Sequence, residues 1–275
     1  MRLENKVALV TGLGSGLGAA VAERFAQEGA HVVGCCRTPA AGEATIARVE
    51  AAGSQGLFVQ ADVSQTADVR RLVDATVSAF GRIDLLVNNA AVGMSSPYST
   101  ANILEIPDED WDEVIRINLG SVFRMCKYTI PVMLAHGGGT IVNVSSSSSL
   151  VGFPSNHNYS AAKAGMNSLT QSIAVRFGPE GIRINGIAMG GMDTPMVAPI
   201  KNVSDAVMAD EAQRFQVCPL GRISSVEEMA GVVVFAASEE SAFMHGTTMV
   251  VDGGQVIAPV AHIPGIEHPD DSREL

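Results

Sequence analysis

Short apolar runs recur along the chain and are separated by polar or glycine-rich stretches. Most of these runs are continuous rather than alternating, which is typical of strands that are covered on both faces of a parallel sheet. The pattern predicts seven strands, at Val7–Val10, His31–Cys36, Leu57–Val59, Leu85–Val87, Ile141–Val144, Ile184–Ala188 and Thr248–Val251.

The segments between these runs carry apolar residues at helical spacing. Between Gln65 and Phe80 the apolar side chains recur three or four positions apart, and Gly81 follows the last of them. A glycine after the last helical residue is a common stop signal. It recurs at Gly29, Gly53, Gly137 and Gly178. Ser225 and Glu228 have the spacing of a capping box at the start of an apolar helix.

Strands that alternate with helices pair in parallel through right-handed crossovers. We therefore predict an α/β protein, a single doubly wound domain with a seven-stranded parallel sheet. No linker or composition shift divides the chain. The domain is expected to span residues 1–257, with a lid around 190–219, and residues 258–275 are expected to form a C-terminal tail.

Composition narrows the possible partners. Of the 275 residues, 47% are hydrophobic and 17% are charged, which excludes disorder as a global description. Eighteen Lys and Arg against 29 Asp and Glu leave a net charge of −11, unsuited to nucleic acid or an anionic membrane surface. The sequence shows neither a signal-like start nor a run of about 18 apolar residues. We expect a cytoplasmic protein without membrane or nucleic-acid partners.

A glycine-rich turn, Thr11–Gly18, lies between the first strand and the first helix. Glycines at this place let the backbone approach a diphosphate at the helix N-terminus. The second strand ends without the acidic residue that binds a ribose diol, and Arg37 follows it. An arginine there can pair with a 2′-phosphate, so we predict NADP(H) as the preferred cofactor, with NAD(H) possible. The alternative is that Arg37 is only a solvated surface charge.

Tyr159 and Lys163 are four residues apart at the start of a predicted helix, so they share one face. An ammonium near a phenol favours the phenolate, and we expect Lys163 to lower the pKa of Tyr159. A tyrosine tuned in this way can exchange a proton with an alcohol or a carbonyl oxygen.

From Leu3 to about Gly254 the chain resembles the short-chain dehydrogenases/reductases, whose fold is Rossmann-type. The resemblance rests on Thr11–Gly18, Asp62, Asn88-Asn89-Ala90, Asn118, Ile141–Ser146, Tyr159 with Lys163, and Asp193-Thr194-Pro195. It implies that Tyr159 is the general acid/base, that Lys163 also holds the nicotinamide ribose, and that Ser146 orients the substrate. Ser145 and Ser147 remain alternatives for the serine role. Asn118 resembles the asparagine that holds a water in the proton relay.

The cofactor residues implied by the turn and by the resemblance lie along most of the domain. They are Gly12, Ser15, Gly16, Leu17, Gly18, Arg37, Thr38, Asp62, Val63, Asn89, Ala90, Tyr159, Lys163, Met189, Gly190 and Thr194. The substrate pocket is expected to include Leu150, Phe153, His157, Met192 and Met196. The chemistry calls for no metal, and the His262–Asp271 segment is interpreted as an acidic tail rather than a metal site.

This sequence departs from the family pattern at Ala91, where glycine is usual, and at Met189, where proline is usual. It also continues beyond Gly254. The family pattern implies a homotetramer with this end of the chain at the interface, and we hypothesise that the tail reaches a neighbouring subunit and borders its substrate site. The predicted function is hydride transfer between NADP(H) and a bulky, weakly polar ketone/secondary alcohol pair. The alternatives are an NAD-dependent dehydrogenase of a hydroxysteroid, cyclic alcohol or diol, and a non-catalytic nucleotide-binding regulator.

Overall fold

The structure is a computed structural model that describes residues 1–93, 95–99, 101, 103–153, 155–200 and 218–257. Its seven strands form one sheet in the order β3-β2-β1-β4-β5-β6-β7, and every neighbouring pair is parallel. The strands are β1 (Val7–Thr11), β2 (His31–Cys36), β3 (Gly56–Gln60), β4 (Leu85–Asn88), β5 (Gly139–Ser146), β6 (Ile182–Met189) and β7 (Thr248–Val251). The predicted α/β fold with a seven-stranded parallel sheet is confirmed.

Helices cover both faces of this sheet. They are α1 (Gly16–Gln27), α2 (Pro39–Ala51), α3 (Thr66–Phe80), α4 (Asp108–Asn118), α5 (Gly120–Ala135), α6 (His157–Phe177) and α7 (Val226–Ala237). One apolar cluster joins α1 and α7 to one face of the sheet, and a second joins α3, α5 and α6 to the other face. The two clusters explain why β1 and β4 are buried along their whole length.

The helix ends follow the sequence signals. Gly29, Gly53, Gly81 and Gly137 all have positive φ values, as a left-handed stop requires. Gly178 also follows the last residue of its helix, because α6 ends at Phe177, but it has a φ of −53° and enters a short 3₁₀ turn. The left-handed residue that ends this segment is Gly181, with a φ of 91°. The capping box at the start of α7 is confirmed, because the side chains of Ser225 and Glu228 each accept a hydrogen bond from the backbone amide of the other residue.

Two predicted segments fall largely outside the described residues. The tail at 258–275 lies wholly outside them, and so does 201–217 of the expected lid. Within the described part of the chain, none of the helices has the length and apolar character needed to cross a membrane.

Candidate active site

A cleft of about 580 Å³ opens along the carboxyl ends of the central strands. This is where ligands bind in open parallel sheets. It collects most of the residues predicted from the sequence: Gly12, Ser15, Gly16, Leu17, Arg37, Thr38, Asp62, Val63, Asn89, Ala90, Ser146, Phe153, Tyr159, Lys163, Met189, Gly190, Met192, Thr194 and Met196. Gly18, Asn118, Leu150 and His157 are not among its lining residues.

The glycine-rich turn is shaped by two close approaches. Gly12 has a φ of +73°, and a Cβ added there would lie 2.9 Å from the Cα of Ala90. A Cβ at Gly18 would lie only 2.2 Å from the carbonyl oxygen of Gly12. Gly18 therefore lets α1 pack closely against the turn, and it does not line the cleft.

The N-terminus of α1 provides the features that a diphosphate needs. Gly16, with a φ of +54°, begins the helix, and its first turn contains no acidic residue. Backbone amides at a helix N-terminus bind anions, aided by the helix dipole. Thr194 lies across the cleft, with its Cγ2 3.5 Å from the position of a Cβ at Gly16. These residues fit the diphosphate of a nicotinamide dinucleotide.

Thr11 and Asn89 brace this turn against β4. The Thr11 hydroxyl donates to the carbonyl of Val87 and accepts from the amides of Asn89 and Ala90, at 3.0 and 3.1 Å. The Asn89 side chain donates to the carbonyls of Thr11 and Gly12, at 2.9 and 3.3 Å. The Asn89 amide therefore holds the glycine-rich turn in place while its residue lines the cleft.

Arg37 follows β2 and Asp62 follows β3, and both line the cleft where the adenosine of the cofactor was predicted to bind. Arg37 is exposed, and within the described residues no carboxylate lies within ion-pair distance of its guanidinium. The Asp62 carboxylate accepts hydrogen bonds from the amide and the hydroxyl of Ser64, at 2.9 and 2.6 Å. Cys36, which also lines the cleft, is neutral at the position where an acid would repel a 2′-phosphate.

Tyr159 and Lys163 lie in the first two turns of α6, as their spacing predicted. The Lys163 ammonium lies 5.6 Å from the centroid of the Tyr159 ring and donates to the carbonyl of Val144 at 2.6 Å. The Lys163 side chain is only 1% exposed, so β5 and α6 enclose it. The structure therefore places the predicted acid/base and its lysine partner in one buried corner of the cleft.

The pKa values in this corner correct one expectation. Burial raises the pKa of Tyr159 to about 12, and a hydrogen bond with the Ser146 side chain opposes this rise. Burial also lowers the pKa of Lys163 to about 8. Desolvation favours the neutral form of both groups and is the largest cause of each pKa shift. With only the protein's own residues around it, Tyr159 is therefore a protonated phenol at neutral pH. This is contrary to the predicted lowering of its pKa.

Ser146 is the last residue of β5 and caps the 3₁₀ turn formed by Ser147–Ser149. Its hydroxyl is the serine group that influences the pKa of Tyr159. The neighbouring candidates point elsewhere: Ser145 donates to the carbonyl of Lys163 at 3.4 Å, and Ser147 donates to Gln255 at 3.1 Å. The geometry favours Ser146 among the three serines considered.

Asn118 ends α4 and is completely buried. Its side-chain oxygen accepts from the amide of Val92 at 2.8 Å, and its side-chain nitrogen donates to the Val92 carbonyl at 2.9 Å. The side chain thus ties α4 to the loop after β4, while the preceding residue, Ile117, reaches the cleft. These bonds hold the Asn118 side chain in place, and its part in a proton relay stays a prediction.

Several apolar side chains line the part of the cleft where the substrate was predicted to bind. Phe153, Met192 and Met196 line the cleft as predicted. Leu150 is 43% exposed and, like His157, is not brought to the cleft. The sequence reasoning missed several lining residues, among them Gly93, Ser148, Asn156 and Gln255. Gln255 could have been found, because it directly follows the Asp252-Gly253-Gly254 motif; Asn156 gives no such signal, since its left-handed φ of 61° is visible only in the structure.

Comparison with known proteins agrees with this geometry. A family model described as enoyl-(acyl carrier protein) reductase matches residues 12–255. A parallel doubly wound sheet with a glycine-rich turn and a Ser-Tyr-Lys set at its carboxyl edge defines an oxidoreductase that uses a nicotinamide nucleotide. The chain belongs to the short-chain dehydrogenase/reductase family.

Individual relatives cover nearly the whole chain. The 3beta-hydroxysteroid dehydrogenase 1 of Eggerthella lenta is 37% identical over 259 residues, covering 94% of this chain and 96% of that protein. The cis-4-hydroxycyclohexanecarboxylate dehydrogenase of Sinomonas cyclohexanicum is 40% identical over 250 residues, covering 90% of this chain and 96% of that protein. Among solved structures, that of levodione reductase matches with a TM-score of 0.86 and 35% identity, covering 94% of this chain and 100% of that one.

Proposed function

We propose that this protein transfers a hydride reversibly between NADP(H) and a ketone/secondary alcohol pair. The observation that carries the proposal is the layout of one cleft: Ser146, Tyr159 and Lys163, on β5 and α6, form what we call its inner end, and Arg37 lines it after β2, where we propose that the adenosine binds. Such a layout supports recognition of a phosphorylated dinucleotide together with proton transfer to a carbonyl oxygen.

The residues at the inner end have distinct roles in this reaction. The nicotinamide, when bound, supplies the hydride in reduction and accepts it in oxidation. The protonated phenol of Tyr159 donates its proton to the carbonyl oxygen, which Ser146 orients by a hydrogen bond. Lys163 holds the nicotinamide ribose and resupplies the proton to Tyr159. Asn118 keeps the loop after β4 in place through its paired bonds to Val92.

We propose that the substrate is bulky and weakly polar, with a cyclic skeleton. Phe153, Met192 and Met196 give this end of the cleft an apolar and adaptable wall. The named relatives act on a hydroxysteroid and on a hydroxycyclohexanecarboxylate, both of them cyclic secondary alcohols. These names support a cyclic ketone or alcohol as the first class to test.

The second candidate is an NAD-dependent dehydrogenase of a hydroxysteroid, cyclic alcohol or diol. The exposure of Arg37 favours this candidate, because a solvated guanidinium contributes little to the binding of a 2′-phosphate. The remaining alternative, a non-catalytic regulator, has no support from the family relationship, since the relatives named above are dehydrogenases and a reductase.

The test is the oxidation of NADPH and of NADH with a panel of cyclic ketones, followed by alcohol oxidation with both oxidised cofactors. We expect turnover with NADPH at the lower KM. Tyr159→Phe is expected to keep cofactor binding and to lose at least a hundredfold in kcat, as removal of a general acid does. Tyr128→Phe, a change on α5 outside the cleft, is the matched control. Turnover confined to NADH would leave the second candidate, and near-normal kcat in Tyr159→Phe would refute the mechanism.

We also propose a cytoplasmic homotetramer, as the family resemblance implied. Phe123 on α5, Val175 on α6 and Phe243 near β7 are exposed apolar side chains, which are typical of interfaces. The four cysteines are unpaired, which suits a reducing compartment. Light scattering coupled to gel filtration gives the assembled mass, and a mass of one chain would contradict the proposal.

A further inference from the structure

The hydroxyl of Ser146 is hydrogen-bonded by a second serine, Ser148, that the sequence reasoning did not single out. Ser148 lies in the 3₁₀ turn after β5 and lines the cleft. Its backbone amide donates to the Ser146 Oγ at 3.2 Å, and its hydroxyl donates to the same oxygen at 3.0 Å. Two hydrogen bonds from one residue therefore converge on the Ser146 Oγ.

These two bonds determine what the Ser146 hydroxyl can do. A serine hydroxyl has one hydrogen to donate and two lone pairs that accept. Ser148 fills both lone pairs, so the remaining capacity of Ser146 is its own O–H. Hydrogen bonds accepted by a hydroxyl also polarise it and strengthen the bond that it donates. The single O–H of Ser146 is thereby prepared to donate to the Tyr159 oxygen in the free enzyme and to the reacting oxygen once substrate is bound.

The other serines of this run form different bonds. The hydroxyl of Ser145 donates to the Lys163 carbonyl, and that of Ser147 donates to Gln255. Ser149 donates to the backbone carbonyl of Ser146 at 2.5 Å and accepts from the Asn167 side chain at 2.8 Å. Within the run, the side chain that contacts the Ser146 Oγ is that of Ser148.

We propose that Ser148 is a positioning residue for hydride transfer, which holds the Ser146 hydroxyl as a donor aimed at the substrate oxygen. The inference rests on the proposed function, because it assigns how Ser146 performs its role there. Ser148 itself acts through Ser146.

Other groups near Tyr159 must stay constant in a test of this role. Lys163 faces the phenol from its own helix. Tyr98 packs in the same apolar cluster as Tyr159, and its hydroxyl donates to Glu113 of α4 at 3.4 Å. Ser148→Ala leaves all three groups in place and also keeps the Ser148 amide bond to Ser146. The substitution therefore isolates the hydroxyl.

The experiment compares wild type, Ser148→Ala, Ser148→Thr and Ser149→Ala in ketone reduction and alcohol oxidation across pH. One neutral hydrogen bond corresponds to about three- to tenfold in rate, so we expect Ser148→Ala to lower kcat by that factor while KM changes less. The midpoint of the alcohol-oxidation profile should move up by about half a pH unit, because a weaker Ser146 donor stabilises the phenolate less. Ser148→Thr should restore both values. NADPH affinity, measured by fluorescence titration, should not change in any variant.

Ser149→Ala is the matched control, since it removes a neighbouring hydroxyl that does not contact the Ser146 Oγ. We expect its pH midpoint to equal that of wild type. A Ser148→Ala enzyme with wild-type kcat and midpoint would overturn the inference, and so would equal effects of Ser148→Ala and Ser149→Ala. Failure of the proposed function is a separate result. If the proposed function is wrong, Tyr159→Phe turns over as wild type does. If only this inference is wrong, Tyr159→Phe is still inactive.

Discussion

The Tyr159 phenol and the Lys163 amine lie in the same buried corner, and burial favours the neutral form of each. A phenol with its pKa raised to about 12 is a proton donor over the whole neutral range. Ketone reduction uses this protonated form, whereas alcohol oxidation needs the phenolate. We therefore expect the oxidation rate to rise with pH above neutrality, and the reduction rate to hold to alkaline pH. Initial rates in both directions between pH 6 and 10 test this, and an oxidation optimum near pH 6 would contradict it.

The burial of Lys163 also predicts a conflict between activity and stability. Its pKa falls from 10.5 to about 8, so below pH 8 the folded protein holds a charge whose burial costs about 3 kcal/mol. This penalty disappears as pH rises past the unfolded pKa. Lys163→Met removes the charge and forfeits one hydrogen bond to Val144, worth about 1 kcal/mol.

We therefore expect Lys163→Met to unfold a few degrees higher than wild type at pH 7 while losing turnover. Thermal denaturation followed by circular dichroism measures the difference, and the gain should shrink near pH 10. Lys127→Met, at an exposed position on α5, should change the unfolding temperature little. A Lys163→Met protein less stable than wild type at pH 7 would contradict the argument.

Sequence spacing was enough to place Tyr159 beside Lys163, because residues four apart share a helix face. It could not give the direction of their pKa values, since that depends on how completely β5 and α6 enclose them. The partner of Asn118 was also hidden, because Val92 is 26 positions away and belongs to another element. Residue types and local spacing were predictable, whereas burial and distant partners were not.

At the scale of the elements, two helical glycines should respond oppositely to the same substitution. In α1 a Cβ at Gly18 would meet the Gly12 carbonyl oxygen at 2.2 Å, and a backbone atom cannot move aside cheaply. In α7 a Cβ at Gly231 meets nothing within 4 Å. We expect Gly18→Ala to destabilise the fold by several kcal/mol or to abolish cofactor binding, since α1 and the turn must separate.

Gly231→Ala is the matched control and should raise stability by up to about 1 kcal/mol, because alanine is the better helix former. Urea denaturation of both variants, together with cofactor titration, provides the measurement. Equal stability of Gly18→Ala and wild type, with cofactor affinity intact, would show that the close approach to Gly12 is not limiting.

The elements themselves were predictable because their signals are local. Apolar runs gave all seven strands, and glycines gave most helix ends. Gly178 follows the last residue of α6, as predicted, and Pro179 comes directly after it. The residue before a proline is disfavoured in the helical region, and Gly178 nevertheless keeps that conformation and extends the turn to Gly181. A stop signal read one residue at a time misses such a continuation.

For the whole molecule, alternation of strands and helices indicated a parallel sheet, and the carboxyl edge of that sheet located the cleft. The lining of the substrate end was less predictable. Leu150 is close in sequence to Ser146 yet lies outside the cleft, while Gln255 enters it from the far end of the chain. Distance along the chain is a poor guide to which residues line the cleft, because loops from separate crossovers converge there.

Cofactor preference can be measured as a property of the whole fold. A ligand that binds only the folded state stabilises it in proportion to the logarithm of its concentration over Kd. If Arg37 pairs with a 2′-phosphate, NADP⁺ should raise the unfolding temperature more than NAD⁺ at equal concentration. A tenfold affinity difference is about 1.4 kcal/mol, or about 2 to 4 °C for a chain of this size.

Arg37→Ala should remove the excess stabilisation by NADP⁺ and leave the NAD⁺ shift unchanged. Arg70→Ala, an exposed arginine on α3 outside the cleft, should keep both shifts. Equal shifts for the two cofactors in wild type would show that Arg37 is a solvated surface charge.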